Sequence, residues 1–527
     1  MPERVLIVGG GTMGAGIALV AAGAGYDVTI VEPQAQARER AVASFAREAQ
    51  RSADPSPASA IQWAQRIEPR SDVVLAIEAV PERFDLKRSV FAELTSALPG
   101  DAILATNTSS FSVDELAEGT PNPGRVIGLH FFNPAARMRL VEIVQTQQTA
   151  QETIDRAFDF VARCGKDAVL TADTPGFIVN RVARPYYLQA LRALEHGVAS
   201  VAELDALARS AGFRMGPFEL MDLIGLDVNL ATTESVYQRT EADRLEPSQT
   251  QRVMVSEGLL GRKTGQGFYS YADGKAERFE PQVPSVDEQR NADEVVAVVG
   301  LSAYAQELAD LIGERYENVV AIANDELLDD LSPESTIVID AGDGVSDRSE
   351  VIAALDASFE KECVIIADAY ATDLAACARR MRFPERLVGF GVLGSISAQS
   401  AVEIVNSETA SDDSLELAQE LFASIGKAGV LVEDVPGLFL GRTVGSIVNE
   451  AMIAVAEDVA SPEDVDEAMM LGANYPAGPI AWGREMGGAR IRTILKRLAD
   501  AEGDRFAAHR SLWLLDVETA AAEESPE

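Results

Sequence analysis

Val5-Leu6-Ile7-Val8-Gly9-Gly10-Gly11-Thr12-Met13-Gly14-Ala15-Gly16 decides how the first part of this chain folds. Four apolar, largely β-branched residues predict a buried strand, the glycines predict a tight turn, and Ile17 to Ala22 continues as a helix. Gly9, Gly11 and Gly14 fit the spacing G-x-G-x-x-G, in which each glycine has its own task. The first permits the turn, the second lets a pyrophosphate approach the backbone, and the third lets helix and strand pack closely. The amino end of the helix then holds the phosphates. A second apolar run, Val28 to Val31, ends at Glu32, twenty-one residues after Gly11. A carboxylate there bonds the adenosine ribose hydroxyls and repels a 2′-phosphate, so the pattern predicts NAD rather than NADP.

Three more strand-like runs follow, Val73–Val80, Ala102–Ala105 and Arg125–Phe132. Parallel sheets collect ligands at the carboxyl ends of their strands, which directs attention to Glu82, to Asn107-Thr108-Ser109-Ser110 and to His130-Phe131-Phe132-Asn133-Pro134. Of three histidines, His196 and His509 lie in polar, helix-like contexts, whereas His130 closes an apolar strand. Beyond Pro134 the chain re-enters an apolar stretch, Leu140-Val141-Glu142-Ile143-Val144, with Glu142 its one charge. If these runs form an antiparallel hairpin centred near Ala136, His130 and Glu142 face each other, each six residues from the centre. A buried carboxylate would then fix the tautomer of the imidazole and raise its basicity, as a general base requires. The plainer reading, a satisfied core histidine and a solvated strand glutamate, loses ground because a cofactor motif lies close by.

These blocks, with Pro175-Gly176-Phe177-Ile178-Val179-Asn180-Arg181, Met215-Gly216-Pro217-Phe218-Glu219 and Gly261-Arg262-Lys263-Thr264-Gly265-Gln266-Gly267-Phe268-Tyr269, run in the order of the L-3-hydroxyacyl-CoA dehydrogenases, which the chain resembles across about 270 residues. The resemblance implies His130 as catalytic base, Glu142 as its partner, and Ser109 and Asn180 as hydrogen-bonding groups for the reacting oxygen. It places Glu82 and Lys87 by the nicotinamide ribose and makes Gly9, Gly11, Thr12, Met13, Gly14, Glu32, Glu82, Lys87 and Asn107 the cofactor set, with no metal. Two plainer roles stay open: Ser109 as a cap for a helix beginning near Ser112, and Asn180 as the end of a turn after Pro175-Gly176. The chain departs from the family between Glu32 and Val73, where a helical excursion that contacts acyl-CoA is shortened and carries a Pro/Ser/Ala-rich piece, Ala53–Ala60. Arg137 stands in a turn where the family more often has an apolar residue. It is either a solvated turn arginine or a bidentate partner for the far carboxylate of a dicarboxylic acyl chain.

The second half repeats the first. Arg386-Leu387-Val388-Gly389-Phe390, Val402-Glu403-Ile404-Val405 and Pro436-Gly437-Leu438-Phe439 match the segments beginning at Arg125, Val141 and Pro175, each displaced by 261 positions. The same displacement puts Gly391 at the place of His130, Tyr370 at Ser109 and Gly441 at Asn180, and keeps only the glutamate, as Glu403. Around Gly300 the glycine turn retains its first glycine alone, and Asn324 stands about where Glu32 did. The copy is predicted to have the fold without a working cofactor site.

With 527 residues, 47% hydrophobic and 24% charged, the chain is too long for one core and too apolar for disorder. Formal charge is −38, which excludes nucleic acid and anionic membrane surfaces as general partners. Three cysteines without a CxxC pair, and no basic, cleavable leader, point to a cytoplasmic protein. The expected fold is α/β plus all-α in five segments. These are a Rossmann-type NAD domain (1–172), a helical domain (173–272), a polar, proline-bearing linker (273–292), a degenerate Rossmann-like domain (293–432) and a second helical domain, 433–527, with Gly472 to Pro479 resembling its counterpart in long bacterial members. The expected activity is NAD-dependent oxidation of a (S)-3-hydroxyacyl-CoA, with a lean to short or dicarboxylic chains such as 3-hydroxybutyryl or 3-hydroxyadipyl. The rivals are a dehydrogenase of a free hydroxy acid and a non-catalytic NAD-binding protein. The two helical domains are expected to dock as an intramolecular pseudo-dimer, with room for a further homo-oligomer.

Overall fold

The computed structural model describes residues 3–49, 61–271, 278–285, 294–300, 303–322, 331–342 and 348–516. The chain divides into two compact units, one of residues 1–182, 238–240 and 454–474, the other of 183–237, 241–453 and 475–527. The first unit is built on eight strands: β1 (Arg4–Val8), β2 (Asp27–Val31), β3 (Gln62–Ala64), β4 (Val73–Glu78), β5 (Ile103–Thr106), β6 (Val126–Phe131), β7 (Leu140–Gln145) and β8 (Asp167–Ala172). Their order is β3-β2-β1-β4-β5-β6-β7-β8. All neighbours are parallel except β6 and β7.

Successive residues of β1 serve different cores. Val5 and Ile7 pack in one with the helices Thr12–Gly23 and Gln151–Arg163, and Leu6 and Val8 in another with the helix Phe84–Ala97. A strand covered on both faces needs an unbroken apolar run, which is why this one was legible. The order reverses between β1 and β4, so the crevice outside their carboxyl ends is the ligand position of such sheets.

The expected strands differ from the observed ones at their ends. Val73–Val80 stops at Glu78, whose carboxylate turns back to accept from the Val80 amide at 2.7 Å. β3 and β8 were not anticipated, β3 having three residues and β8 mixing polar with apolar positions. Of the excursion after Glu32, the helix Ala35–Ala49 and β3 are observed, while Ala53–Ala60 lies outside the described residues.

The second unit carries β9 (Val295–Val299), β10 (Asn318–Ile322), β11 (Ile337–Asp340), β12 (Val364–Asp368), β13 (Leu387–Gly391), β14 (Ala401–Asn406) and β15 (Ala428–Glu433) in the order β10-β9-β11-β12-β13-β14-β15. That is the first sheet without a counterpart of β3, again with one antiparallel pair, β13 and β14. Asn324 lies outside the described residues. The unit also carries most of the helices that follow β8 in sequence and most of those that follow β15. Ser200 and Glu203 form a reciprocal cap on Val201–Ser210, and buried Asp205 accepts from the Phe218 and Glu219 amides, both at 2.9 Å, at the start of Pro217–Ile224. Between the two helical stretches, Arg442 donates to Gln189 at 3.0 Å, Arg244 pairs with Glu450 at 2.6 Å, and the short turns Asp243–Leu245 and Asp504–Phe506 touch. Of the expected linker, residues 278–285 are described and have no regular structure. They are nonetheless tied down, because Arg278 pairs with Glu219 at 2.6 Å and Arg209 donates to the Phe279 carbonyl at 2.7 Å.

Candidate active site

The hairpin of β6 and β7 sets His130 directly opposite Glu142. His130 Nδ1 lies 2.6 Å from Glu142 Oε2, with the carboxylate fully buried and the imidazole 6% exposed. The other carboxylate oxygen accepts from the backbone amides of Ile178 (3.0 Å) and Val179 (2.9 Å), at the start of the helix Val179–Val182. An ionised carboxylate has no hydrogen to give, so it can only accept from the imidazole. The ring therefore carries its proton on Nδ1 and leaves Nε2 as the basic atom. Phe132 and Phe177 flank the ring, with centroids at 4.6 and 5.7 Å.

The glycine turn lies at the carboxyl end of β1, and its three glycines divide the work as the motif requires. Gly9 has φ +108°, and a β-carbon there would sit 2.5 Å from the Ala79 carbonyl oxygen. One on Gly14 would sit 1.9 Å from the Gly9 carbonyl oxygen, so no side chain fits between helix and turn. Gly11, at the helix start, faces open space beside exposed Thr12 and half-buried Met13. Glu32 accepts from the Gly10 and Gln34 amides, both at 2.9 Å, which holds a carboxylate beside the turn. This set fits a dinucleotide.

Beyond β4 and β5 lies a second carboxylate network. Glu82 Oε1 accepts from the Ser109 amide (3.2 Å), the Ser110 hydroxyl (2.8 Å) and the Thr108 hydroxyl, and Oε2 pairs with Lys87 at 3.0 Å. Burial alone would raise the Glu82 carboxyl, but the Lys87 ammonium and the two hydroxyls outweigh it and hold it below the usual carboxylate range. Lys87 itself is buried and bonded to both oxygens of Glu78, at 2.9 and 3.0 Å. Glu78 went unnoticed in the sequence, although a carboxylate ending an apolar strand was the available signal. Asn107 accepts from the Phe131 amide at 2.8 Å and so ties this loop to the strand of His130. The cap on Val113–Ala117 is Ser112, not Ser109, which leaves the Ser109 hydroxyl without that duty. Asn180 is not the end of a turn either; half-buried, it lies inside the helix Val179–Val182. Arg137 is exposed, and its backbone closes the turn onto the Pro134 carbonyl at 2.9 Å.

Comparison with known proteins accords with this arrangement. The family model for the 3-hydroxyacyl-CoA dehydrogenase NAD binding domain matches residues 4–174 and again 297–435, and that for the 3-hydroxyacyl-CoA dehydrogenase C-terminal domain matches 176–271 and 437–522. The chain belongs to the 3-hydroxyacyl-CoA dehydrogenase family. It is 36% identical to the 3-hydroxyadipyl-CoA dehydrogenase of Escherichia coli (strain K12) over 513 residues, 95% of this chain and 94% of that one. A 3-hydroxybutyryl-CoA dehydrogenase of Bradyrhizobium diazoefficiens is 36% identical over 283 residues, 52% of this chain and 97% of its own. The crystal structure of 3-hydroxybutyryl-CoA dehydrogenase from Escherichia coli K12 superposes with TM-score 0.81 at 32% identity, covering 99% of this chain and 100% of that one. The protein is thus an NAD-dependent oxidoreductase.

In the second half of this dehydrogenase the same site is filled from within. Gly391 pairs opposite Glu403, as His130 does opposite Glu142. Glu403 Oε1 still accepts from two amides, Phe439 (2.8 Å) and Leu440 (3.3 Å). The imidazole is replaced by the Tyr370 hydroxyl, which donates to Glu403 Oε2 at 2.7 Å. A β-carbon on Gly391 would lie 2.4 Å from the Tyr370 ring and one on Gly441 3.0 Å, so these glycines are the space that the tyrosine occupies. Arg490 covers both Tyr370 and Tyr304, at 5.4 and 4.9 Å from the ring centroids, and pairs with buried Asp368 at 2.8 Å. Burial pushes the Glu403 carboxyl up to about 7, against its three hydrogen bonds.

Proposed function

We propose that the chain oxidises (S)-3-hydroxyacyl-CoA thioesters to 3-oxoacyl-CoA thioesters, with His130 as general base and Glu142 as its partner. The 2.6 Å contact between a buried carboxylate and Nδ1 carries the reading, because it leaves Nε2 unprotonated and ready for a hydroxyl proton. Glu142 stabilises the imidazolium that results. Ser109 and Asn180 hold the substrate oxygen as it changes from hydroxyl to carbonyl. NAD, when bound, accepts the hydride from C3. Gly9, Gly11, Thr12, Met13, Gly14 and Glu32 bind its adenosine and pyrophosphate portion, and Glu82 and Asn107 its nicotinamide ribose. Lys87 stands with them by the nicotinamide ribose, its ammonium paired to Glu78 and Glu82.

The acyl chain is proposed to be short or dicarboxylic, in keeping with the names of the relatives above. Exposed Arg137 is proposed to receive a distal carboxylate. The boundaries proposed from the sequence are retained, and the helical stretches are read as an intramolecular pseudo-dimer, supported by the Arg442–Gln189 and Arg244–Glu450 contacts. A cytoplasmic location agrees with three cysteines outside any disulfide among the described residues. The test is NADH formation from 3-hydroxybutyryl-CoA, 3-hydroxyadipyl-CoA and the free acids, by wild type and His130→Gln. Thioester turnover that falls by about 10²–10⁴ in the variant is expected. Equal turnover of free acids, or a variant within threefold of wild type, contradicts the assignment.

A further inference from the structure

Residues 454–474 belong to the stretch matched by the second C-terminal domain, yet they are part of the unit that carries the dyad. Their helix, Pro462–Gly472, packs on β7, on β8 and on Val179–Val182, and the Val459 carbonyl accepts from the Ala172 amide at 2.8 Å, at the end of β8. Glu457 pairs with buried Arg181 at 2.7 Å, one residue from Asn180.

Gly472, the last residue of that helix, lies close against β7. A β-carbon there would lie 2.6 Å from Leu140 Cδ2, 2.9 Å from Val179 Cγ2 and 3.6 Å from Phe132 Cζ. Each of these residues is one step from the chemistry. Leu140 is on the same face of β7 as Glu142, two residues away; the Val179 amide bonds Glu142; and the Phe132 ring lies against His130. Leu140 and Val179 are both buried, so neither can swing into solvent to make room.

The repeat supplies an internal control. In the second unit the matching helix, Val201–Ser210, packs on β14 in the same manner. There the residues 261 positions from Leu140 and Gly472 are Ala401 and Ala211. On the side of the dyad a large strand residue is matched by no side chain at all, whereas the corresponding positions of the copy are two alanines.

We propose that the helix Pro462–Gly472, supplied by the copy, is a positioning element for the His130–Glu142 dyad, with Gly472 as the residue that sets the distance. The inference rests on the proposed roles of His130 and Glu142, and it gives the degenerate half a part in the catalytic site of the first. Gly472→Val pushes on Leu140 and Val179, and through them moves Glu142 relative to the imidazole.

Two readouts test this on the full chain. The first is the proton resonance of the His130 Nδ1–H bond, assigned with His130→Gln, which a 2.6 Å charge-assisted bond moves far downfield. It is expected to shift or vanish in Gly472→Val, and this holds whether or not any thioester is turned over. The second is kinetic: kcat is expected to fall about ten- to hundredfold in Gly472→Val, and by less in Gly472→Ala, while the Kd for NAD stays within about twofold; adding Leu140→Val to Gly472→Ala is expected to recover most of that smaller loss. A folded Gly472→Val with unchanged resonance and kcat within about twofold overturns the proposal, even with the wild type fully active. Should Gly472→Val fail to fold, Glu457→Gln perturbs the same segment from its exposed side. There a drop of about three- to tenfold in kcat at unchanged melting temperature supports the role, and no drop overturns it. Wild type inactive on every 3-hydroxyacyl-CoA contradicts the proposed function instead, and the resonance still decides the positioning.

Discussion

Glu142→Gln separates a catalytic carboxylate from a merely structural one. The side chain is fully buried, with Oε1 accepting two amides and Oε2 facing His130 Nδ1. In glutamine only the oxygen can take the two amide hydrogens, so the amide nitrogen is forced to face the ring. It is a donor, Nδ1 must become an acceptor, and the single imidazole proton moves to Nε2. The atom that has to receive the substrate proton is then already protonated. The same acid-to-amide change behind the histidine of a serine protease triad costs about 10⁴ in kcat, or ~5 kcal/mol in the barrier. A loss of about 10³–10⁴ in kcat is expected here, with the Kd for NAD unchanged because no cofactor residue is touched. Folding is preserved, since the change is isosteric and removes a buried charge. NADH formation under saturating substrate, with NAD titrated separately, gives both quantities. Glu403→Gln, at the equivalent position of the copy, is the control and is expected to leave kcat unchanged. Turnover of Glu142→Gln within about tenfold of wild type would refute the tautomer argument.

The same control has its own consequence for stability. Glu403 and Asp205 are both pushed up to about 7 by burial, so the folded chain binds more protons than the unfolded chain between about pH 4 and 7. Their contribution is fully present below the unfolded pKa, is lost as pH rises through the folded one, and levels off above it. Glu403→Gln is expected to gain of order 1–3 kcal/mol over wild type at pH 8 and nothing at pH 4, by denaturant melts; equal gains at both would reject the shift. Glu32→Ser with a neighbouring arginine is expected to lower the NAD-over-NADP ratio of kcat/KM by at least about tenfold, ~1.4 kcal/mol, and an unchanged ratio moves the discriminating acid elsewhere. Truncation after about residue 285 removes the helix Pro462–Gly472 and the partner of Arg442–Gln189, so aggregation or concentration-dependent dimers with retained NAD affinity are expected in sedimentation and titration. A monodisperse, fully active monomer would contradict it.

How much of this was legible in the sequence depended on the range of the interaction. β1 and its turn were read because an unbroken apolar run and three spaced glycines are local signals, and the close contacts of Gly9 and Gly14 give the physical reason for those glycines. The pairing of His130 with Glu142 was read because a hairpin converts sequence symmetry into spatial opposition. The repeat was read because its displacement is constant. By contrast, the burial of Lys87 between Glu78 and Glu82 is set by a strand end and a helix meeting in space, which no local pattern encodes. The displacement marked Tyr370 as the successor of Ser109 but gave no sign that its hydroxyl reaches Glu403. The contact of Gly472 with Leu140 joins residues more than three hundred positions apart, and no periodicity encodes it.

The losses in the copy are therefore not independent decays. A buried glutamate that keeps its two backbone amides still needs a partner for its second oxygen, because an unpaired carboxylate in that position costs several kcal/mol. Tyr370 supplies the donor, and its ring then requires the volume that a histidine at 391 and an asparagine at 441 would fill. Once the tyrosine is in place, packing demands glycine at 391 and leaves little room for a side chain at 441. Arg490 seals the arrangement by pairing with Asp368 over the two tyrosine rings. The places that His130 and Asn180 hold in the first site are thus taken up by Tyr370 in the copy. What selection can still act on in that half is its shape, which is the property that the helix Pro462–Gly472 brings to the dyad.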